Sequence, residues 1–360
     1  MLEKIARSFT KNRLKKPVNL IFFVTGKCDS RCIHCFNWKN LNRNRDELGL
    51  KEIGGFAKEF GSLPEVGFSG GEPLLRKDLE GIISVFELNC GTKNFGIPTN
   101  GLRPKQIAKE VENILERHPG INLGINISLD GTKEVHDSIR GIKGSFDKAL
   151  ETYRLLAELR RKKGFGLKAV TTILNRNVEN IPELIKFVKG NMPDIDFQTF
   201  EIMRGNPKGT GIAGPTIAQL KKARPAIFSS YKGGSFYRKN ALASRIAASA
   251  KKFVFDKYLE MLEREEQLFP CYAGTVNLVL TETGNVHFCE LTPSIGNIRE
   301  NKITEILKGK KAGSMREHIR QRRCWCVHSC FQQNNMMLTK RMWPEIALYV
   351  IKDLLPGGSK

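Results

Sequence analysis

Three cysteines stand close together near the start of the chain, in the run Cys28-Asp-Ser-Arg-Cys32-Ile-His-Cys35. They follow directly on an apolar run typical of a buried strand, so the three thiols share one short loop. Iron–sulfur clusters favour thiolate ligands, and three local thiolates would leave one iron of a four-iron cluster open. The alternative is a zinc site with its fourth ligand elsewhere, such as His34. Zinc motifs usually place a second Cys or His pair nearby, and none is present, so the spacing favours a cluster.

Five further cysteines lie in two distant segments near the other end of the chain. Cys271 and Cys289 stand on either side of the turn signal Thr283-Gly284, and Cys324, Cys326 and Cys330 follow much later. Thiols divided in this way predict a metal site that is assembled by folding rather than by one loop. Cys90 stands alone at the end of a helical pattern and is interpreted as a buried apolar residue.

The composition bears on the compartment and on the partners. The chain has 360 residues, 40% of them apolar, and a formal net charge of +22. Such a charge indicates either a solvated, lysine-rich surface or an anionic partner. The basic segment Met1–Lys16 leads into no secretory signal, and no run reaches the roughly 18 apolar residues that span a bilayer. We therefore expect a cytoplasmic protein whose reduced thiols bind metal.

Short apolar runs alternate with stretches of helical periodicity along the chain from residue 18. The predicted strands are Val18–Val24, Val66–Phe68, Asn94–Ile97, Asn122–Leu129, Leu167–Ile173 and Phe197–Ile202. The predicted helices are Leu50–Phe60, Asp78–Leu88, Pro104–Arg117, Phe146–Lys162 and Ile181–Val188. Strand and helix alternate about six times, which predicts an α/β fold with a parallel sheet covered by helices. In such folds the loops after the strands carry the chemistry, and the first cysteine loop is one of them.

The pattern changes after about residue 212. We expect a basic N-terminal extension (1–17), a first domain (18–212), a basic helical linker (213–270), a small α+β domain (271–335) and an amphipathic tail (336–360). Thr275–Leu280 and Asn285–Phe288 are the predicted strands of the small domain.

Several loop motifs, taken in order, resemble those of the radical S-adenosylmethionine (SAM) superfamily. The Cys-x3-Cys-x2-Cys spacing followed by Phe36 is that family's signature, and Ser69-Gly70-Gly71-Glu72-Pro73 is similar to its GGE motif. The remaining matches are Pro98-Thr99-Asn100-Gly101, Ser128-Leu129-Asp130-Gly131, His136–Gly141 with Arg140, and Asn175. Together they cover about residues 18–205.

The resemblance implies a fold, a reaction and a set of ligands. The fold is a partial (β/α)6 TIM-like barrel, and a [4Fe–4S] cluster on Cys28, Cys32 and Cys35 cleaves SAM reductively to a 5′-deoxyadenosyl radical. The electron comes from a reductant such as ferredoxin or flavodoxin. Gly70, Gly71 and Glu72 face the SAM amino group and Arg140 its carboxylate. Phe36, Asn100, Ser128, Asp130 and Asn175 complete the implied SAM site, although a turn or cap role is an equal alternative for Asn100, Asp130 and Asn175.

The second cysteine group resembles the SPASM and twitch extensions of such enzymes, which hold auxiliary [4Fe–4S] clusters. Five thiols are too few for two further clusters, so one auxiliary cluster is expected. Cys271, Cys289 and Cys330 are the preferred ligands, with Cys324 or Cys326 as the fourth. A structural zinc is the alternative.

The substrate is less defined by the sequence. The resemblance implies oxidation or crosslinking of the substrate, and hence an oxidoreductase or maturase. The expected substrate is a peptide, a glycan or an anionic, lipid-linked molecule. Lys11, Arg13, Lys15 and Lys16 at one end, and Trp343, Tyr349 and Leu354 at the other, suggest peripheral membrane contact, with ordinary docking helices as the alternative. A zinc- or cluster-stabilised nucleic-acid-binding protein would explain the charge and the thiols. It would leave the Gly-Gly-Glu motif and Arg140 unexplained.

Overall fold

The computed structural model describes residues 17–231 and 241–355. Its strands are β1 (Asn19–Thr25), β2 (Glu65–Gly70), β3 (Asn94–Thr99), β4 (Asn122–Ser128), β5 (Phe165–Ile173), β6 (Phe197–Ile202), β7 (Asn277–Leu280), β8 (Asn285–His287) and β9 (Gly296–Asn297). Its helices are α1 (Leu50–Phe60), α2 (Leu79–Cys90), α3 (Pro104–Arg117), α4 (Lys133–Arg140), α5 (Ser145–Glu158), α6 (Ile181–Asn191), α7 (Ile217–Ser230), α8 (Ala241–Arg264), α9 (Ile303–Lys308), α10 (Lys310–Arg320), α11 (Ser329–Leu338) and α12 (Trp343–Leu354).

The six strands β1 to β6 lie side by side in chain order and are all parallel. Helices join successive strands, and their apolar faces cover the sheet because parallel strands must be buried on both sides. β6 does not return to β1, so the curved sheet stays open, as in a partial barrel. The predicted α/β fold with a TIM-like partial barrel is confirmed.

The C-terminal hairpin continues the same sheet. β7 pairs in parallel with the free edge of β1, with Leu20 opposite Leu278, and β8 and β9 follow in antiparallel order. Gly284 has φ of +89° at the hairpin turn, a conformation that suits glycine. The predicted hairpin is therefore present, but its strands extend the barrel sheet. The domain boundaries remain predictions.

A second apolar core lies beside β6, away from the main core under the sheet. It joins β6 to α6, α7, α8 and the C-terminal helices through side chains such as Phe200, Ile227, Phe253 and Met336. Cys90 is buried at the end of α2, as predicted. In the described ranges no helix is long and apolar enough to cross a bilayer. Lys11, Arg13, Lys15 and Lys16 lie outside the described residues.

Candidate active site

The thiols of Cys28, Cys32 and Cys35 line one cavity of about 210 Å³ at the carboxyl ends of the strands. The loop that carries them follows β1 and is held at both ends. The Asn42 side chain accepts a hydrogen bond from the Cys28 amide (2.9 Å) and donates one to its carbonyl (2.8 Å). The Ile33 amide donates to the Ile139 carbonyl (2.9 Å), which ties the loop to the end of α4.

Two glycines bring the loop after β2 against the backbone of the cysteine loop. The Gly71 amide donates to the Thr25 carbonyl (2.7 Å) and the Glu72 amide to the Lys27 carbonyl (2.8 Å). Gly70 has φ of +107°, and a Cβ there would stand 2.5 Å from the Thr25 carbonyl oxygen. These contacts require glycine, because any side chain would push the two loops apart.

Glu72 lies buried on the cavity wall at the end of this turn. Its carboxylate accepts hydrogen bonds from the Asn100 amide (2.7 Å) and the Leu74 amide (3.3 Å). Burial raises the pKa of Glu72 to about 7, against the opposing effect of these bonds. A bound ammonium group would lower it again, so the site favours a cationic ligand at this carboxylate.

Arg140 lies buried at the last position of α4 and reaches the cysteine loop. One Nη lies 2.6 Å from Asp130 Oδ2, and the other donates to Cys32 Sγ at 3.6 Å. Burial opposes ionisation of Asp130, but Arg140 and the nearby His34 hold its pKa below the usual value. Among the described residues Arg140 Nε has no hydrogen-bond partner. The guanidinium therefore keeps unused donor capacity beside the thiols.

The other residues predicted for the SAM site divide between the cavity and its surroundings. Phe36, Asn100 and Ser128 line the cavity with Gly70 and Gly71. Asp130 pairs with Arg140 and is not part of the cavity lining. The Asn175 side chain instead bonds the loop after β6, donating to the Gly211 carbonyl (2.9 Å) and accepting from the Ala213 amide (3.3 Å). A SAM contact by Asn175 remains a prediction.

The chemistry of this cavity fits a cluster with SAM beside it. In the described parts of the chain, no three His, Cys, Asp or Glu side chains converge closely enough to hold a single metal ion. A four-iron cluster needs its thiolates farther apart, each on a separate iron, and three thiols around one cavity meet that need. A buried carboxylate and a buried guanidinium at the same wall match the two charges of an amino acid group.

The second cysteine group gathers beside β7 and α11. Mutual repulsion of thiolate charges links Cys289 with Cys326 and Cys271, and links Cys271 with Cys324, so these four thiols are neighbours. For Cys271 and Cys289 burial contributes more than this repulsion, and both pKa values are raised. Gln332 in α11 donates to Cys326 Sγ (3.4 Å). Cys330, a preferred ligand, is the second residue of α11, and its thiol lies near Glu201, Arg204 and Glu290.

A buried polar group that the motifs did not predict lies between the two cysteine groups. Arg204 pairs with Glu290 at 2.8 Å, and its guanidinium lies 4.9 Å from the centre of the Phe36 ring. Glu290 directly follows Cys289, and Phe36 directly follows Cys35. The one sequence signal was that Arg204 stands two residues after a predicted strand, where site residues of such folds collect.

A second cavity of about 400 Å³ lies beside the first, and Phe36 lines both. Its polar lining is mostly amide and hydroxyl: Asn37, Asn40, Asn206, Thr281, Thr283 and Asn285. The two carboxylates in its wall are each close to an arginine, since Arg45 lies 3.5 Å from Glu282 and Arg204 2.8 Å from Glu290. Lys39 also lines this cavity, so its wall carries a small excess of positive charge beyond these two pairs.

Two family models match the chain. The model of the radical SAM superfamily matches residues 22–188, and that of the SPASM iron–sulfur cluster-binding domain matches residues 271–331. The first match contains the cysteine loop and Arg140, and the second contains Cys271, Cys289, Cys324, Cys326 and Cys330.

The similar curated proteins include enzymes with different substrates. The AdoMet-dependent heme synthase of Methanosarcina barkeri is 27% identical over 81% of this chain and 82% of its own length. The Fe-coproporphyrin III synthase of the same organism is 32% identical over 49% of this chain, which spans only 41% of that protein. The subtilosin biosynthesis protein AlbA of Bacillus subtilis is 24% identical over 82% of this chain and 60% of its own length.

Solved structures share the fold. Native anSMEcpe with bound AdoMet superposes with a TM-score of 0.60 at 15% identity, covering 93% of this chain and 100% of that one. SuiB of Streptococcus suis bound to SAM gives 0.58 at 17% identity, covering 87% and 71%.

The fold, the cavity and the two matches agree on the cofactors: a SAM-binding [4Fe–4S] cluster, SAM itself and an auxiliary cluster. The chain belongs to the radical SAM superfamily and carries a SPASM iron–sulfur cluster-binding domain in its C-terminal part.

Proposed function

We propose that this enzyme uses SAM and two clusters to oxidise or crosslink its substrate. The observation that carries the proposal is the convergence of three thiols, Glu72 and Arg140 on one cavity. When bound, the first cluster supplies the electron that splits SAM into methionine and a 5′-deoxyadenosyl radical, which takes a hydrogen atom from substrate.

The residues of the cavity take separate roles in this proposal. Cys28, Cys32 and Cys35 hold the cluster. Glu72 accepts hydrogen bonds from the SAM ammonium group, and Arg140 pairs with the SAM carboxylate while Asp130 fixes its orientation. Asn100 and Ser128 contact the nucleoside part, and the backbone at Gly70 and Gly71 approaches SAM closely. The apolar ring of Phe36 helps to keep water from the radical.

For the auxiliary cluster, we propose ligands from the five C-terminal cysteines. The mutual neighbourhood of Cys271, Cys289, Cys324 and Cys326 supports these four. Cys330, which the sequence analysis preferred, lies on the side of Arg204 and Glu290 and is the fifth candidate. With an auxiliary cluster as electron acceptor, the substrate radical would lose one further electron and a proton, which makes the overall reaction a two-electron oxidation of the substrate.

A peptide is the substrate class that the cavity beside Phe36 supports best. Amide and hydroxyl groups can match the alternating donors and acceptors of a peptide main chain. The similar proteins include the PqqA peptide cyclase of Bradyrhizobium diazoefficiens and Streptococcus suis SuiB, which has been solved bound to the precursor peptide SuiA. A tetrapyrrole is the second candidate, favoured by the long similarity to the heme synthase.

We also propose peripheral membrane contact, through residues that differ in part from those expected from the sequence. Tyr349 faces inward and donates to Asp256 (2.6 Å), so it does not belong to an exposed face. The exposed apolar side chains of α12 and its end are Trp343, Leu348, Ile351 and Leu355. Lys340, Arg341 and Lys352 lie beside them, a pattern that suits an anionic lipid surface.

The test is the iron and labile sulfide content after anaerobic reconstitution. We expect about eight irons per chain, falling to about four in a Cys28/Cys32/Cys35→Ala variant. Cys90→Ala is the matched control and should keep all of them, because Cys90 lies in the core away from both groups. The wild type, reduced with dithionite, should also convert SAM to 5′-deoxyadenosine. Zinc in place of iron in the wild type would contradict the proposal.

A further inference from the structure

A group of buried charges lies between the two cysteine groups and takes none of the SAM-binding roles proposed above, although its Arg204 also lines the cavity of the first cysteine loop. Arg204 follows β6. Among the described residues it is the arginine that pairs with Glu290, next to Cys289. Its partner Glu290 is 3% exposed. The 2.8 Å contact between Arg204 and Glu290 places a guanidinium and a carboxylate in direct apposition next to Cys289.

Two more contacts join the end of β6 to the segment of Cys326 and Cys330. The Ser329 hydroxyl donates to Glu201, the last but one residue of β6. His328 Nε2 lies 3.4 Å from Glu290. The guanidinium of Arg204 thus faces the second cysteine group from the end of β6.

The same guanidinium contacts the first cysteine loop through the face of Phe36. Its Nε has no hydrogen-bond partner among the described residues, although the side chain is largely buried. A buried cation of this kind interacts strongly with charges nearby because little water screens it. One-electron reduction of a cluster adds one negative charge, which such a cation stabilises.

We propose that Arg204 is a positioning residue that fixes the Cys289 segment against the first cysteine loop and raises the reduction potential of the auxiliary cluster. The inference rests on the proposed function, since it requires an auxiliary cluster at the second cysteine group. The negative charge of Glu290 opposes the effect of Arg204 on the reduction potential, because it lies beside the same second cysteine group.

The experiment is an EPR-monitored redox titration of the full-length chain, reconstituted anaerobically. Carried out in the Cys28/Cys32/Cys35→Ala background, it follows the auxiliary cluster alone. Arg204→Met should lower the equilibrium constant for reduction about tenfold or more, which is 59 mV for one electron. Glu290→Gln should shift it in the opposite direction, and Arg204→Lys should stay close to the unsubstituted background.

Arg160→Met is the matched control, because Arg160 also pairs with a buried carboxylate, Asp196 at 2.5 Å, but joins α5 to the start of β6. It should leave the potential unchanged. Unchanged potentials in iron-loaded Arg204→Met and Glu290→Gln would overturn the proposal. If Arg204→Met loads no iron, the shift in Glu290→Gln decides: a rise supports the proposal and no rise overturns it. Absence of iron from the wild type would instead overturn the proposed function.

Discussion

Gly71 marks the point where two loops of the active site lie closest. A Cβ at Gly71 would stand 2.1 Å from the Lys27 carbonyl oxygen and 3.2 Å from Cys28 Cβ. Neither atom is the end of a flexible side chain, so the backbone of the cysteine loop itself would have to move. The position of Cys28 therefore depends on the absence of one methyl group.

Gly71→Ala should lower both cluster loading and SAM affinity, the latter about tenfold or more. The added methyl group would push the cysteine loop away and so separate the groups that bind SAM. Iron content and the dissociation constant for SAM, measured by anaerobic calorimetry, check this.

Gly54→Ala is the matched control. Gly54 lies within α1, and a Cβ there would meet nothing within 4 Å. This variant should gain about 0.5–1 kcal/mol in free energy of unfolding, as measured by urea titration, and bind SAM as the wild type does. Equal SAM binding by both variants would contradict the role given to Gly71.

At the scale of single residues, the cluster and SAM contacts expected from the loop motifs lie together, because their chemistry depends on local spacing. All of them but Asp130 and Asn175 line the cavity, and their roles toward SAM stay predictions. Arg204 and Glu290 were missed for a physical reason. They stand 86 positions apart, and only the folding of β7 beside β1 brings them together.

Among the elements, α4 positions the guanidinium of Arg140. Asp137, on the same helix, accepts hydrogen bonds from the Gly144 amide (2.6 Å), the Ser145 hydroxyl (2.8 Å) and the Phe146 amide (2.8 Å). It thereby caps the start of α5 and holds the end of α4 against it.

Asp137→Ala should reduce the free energy of unfolding by about 1–2 kcal/mol, as the loss of a helix cap does, and weaken SAM binding through Arg140. Asp147→Ala is the control in α5. Its ion pair with Lys133 is more than half exposed at both side chains, so its loss should cost at most about 0.5 kcal/mol. Denaturant unfolding measures both, and equal costs would contradict the capping role.

Elements with a clear apolar period or a continuous apolar run were predictable. Leu50–Phe60, Pro104–Arg117 and Phe197–Ile202 match the predicted bounds. The eight residues of α4 were read only as part of a loop motif, because two turns carry too little periodicity. The pairing of β7 with β1 was also not predicted, since strand pairing across such a distance depends on tertiary structure.

For the whole molecule, the surplus of positive charge extends to the C-terminal helix. Lys340, Arg341 and Lys352 stand beside the exposed apolar face of α12. Leu348 is 53% exposed and Ile351 57% exposed, and they lie one turn apart on the outer side of the helix. A bilayer with anionic lipids would cover the apolar side chains and attract the lysines around them.

Leu348→Glu/Ile351→Glu should lose most of its binding to vesicles of phosphatidylcholine with phosphatidylglycerol, about tenfold or more at low salt. Flotation of protein with vesicles measures the bound fraction. Wild-type binding should fall at high salt and on phosphatidylcholine alone. The matched control is Leu88→Glu in α2, where the leucine is 83% exposed but distant in the chain from α12. No flotation of the wild type, or no loss in the double variant, would contradict membrane contact.

The place of β1 in the sheet also has a consequence for synthesis of the chain. β1 pairs with β2 on one side and with β7 on the other, and β7 begins at Asn277. While the ribosome makes the intervening residues, one edge of this apolar strand has no native partner and is open to wrong pairing. The first cysteine loop, which follows β1, is therefore complete in sequence long before its supporting strand is fixed. Cluster insertion into a nascent chain would have to wait for the C-terminal hairpin, or proceed on a sheet with an open edge.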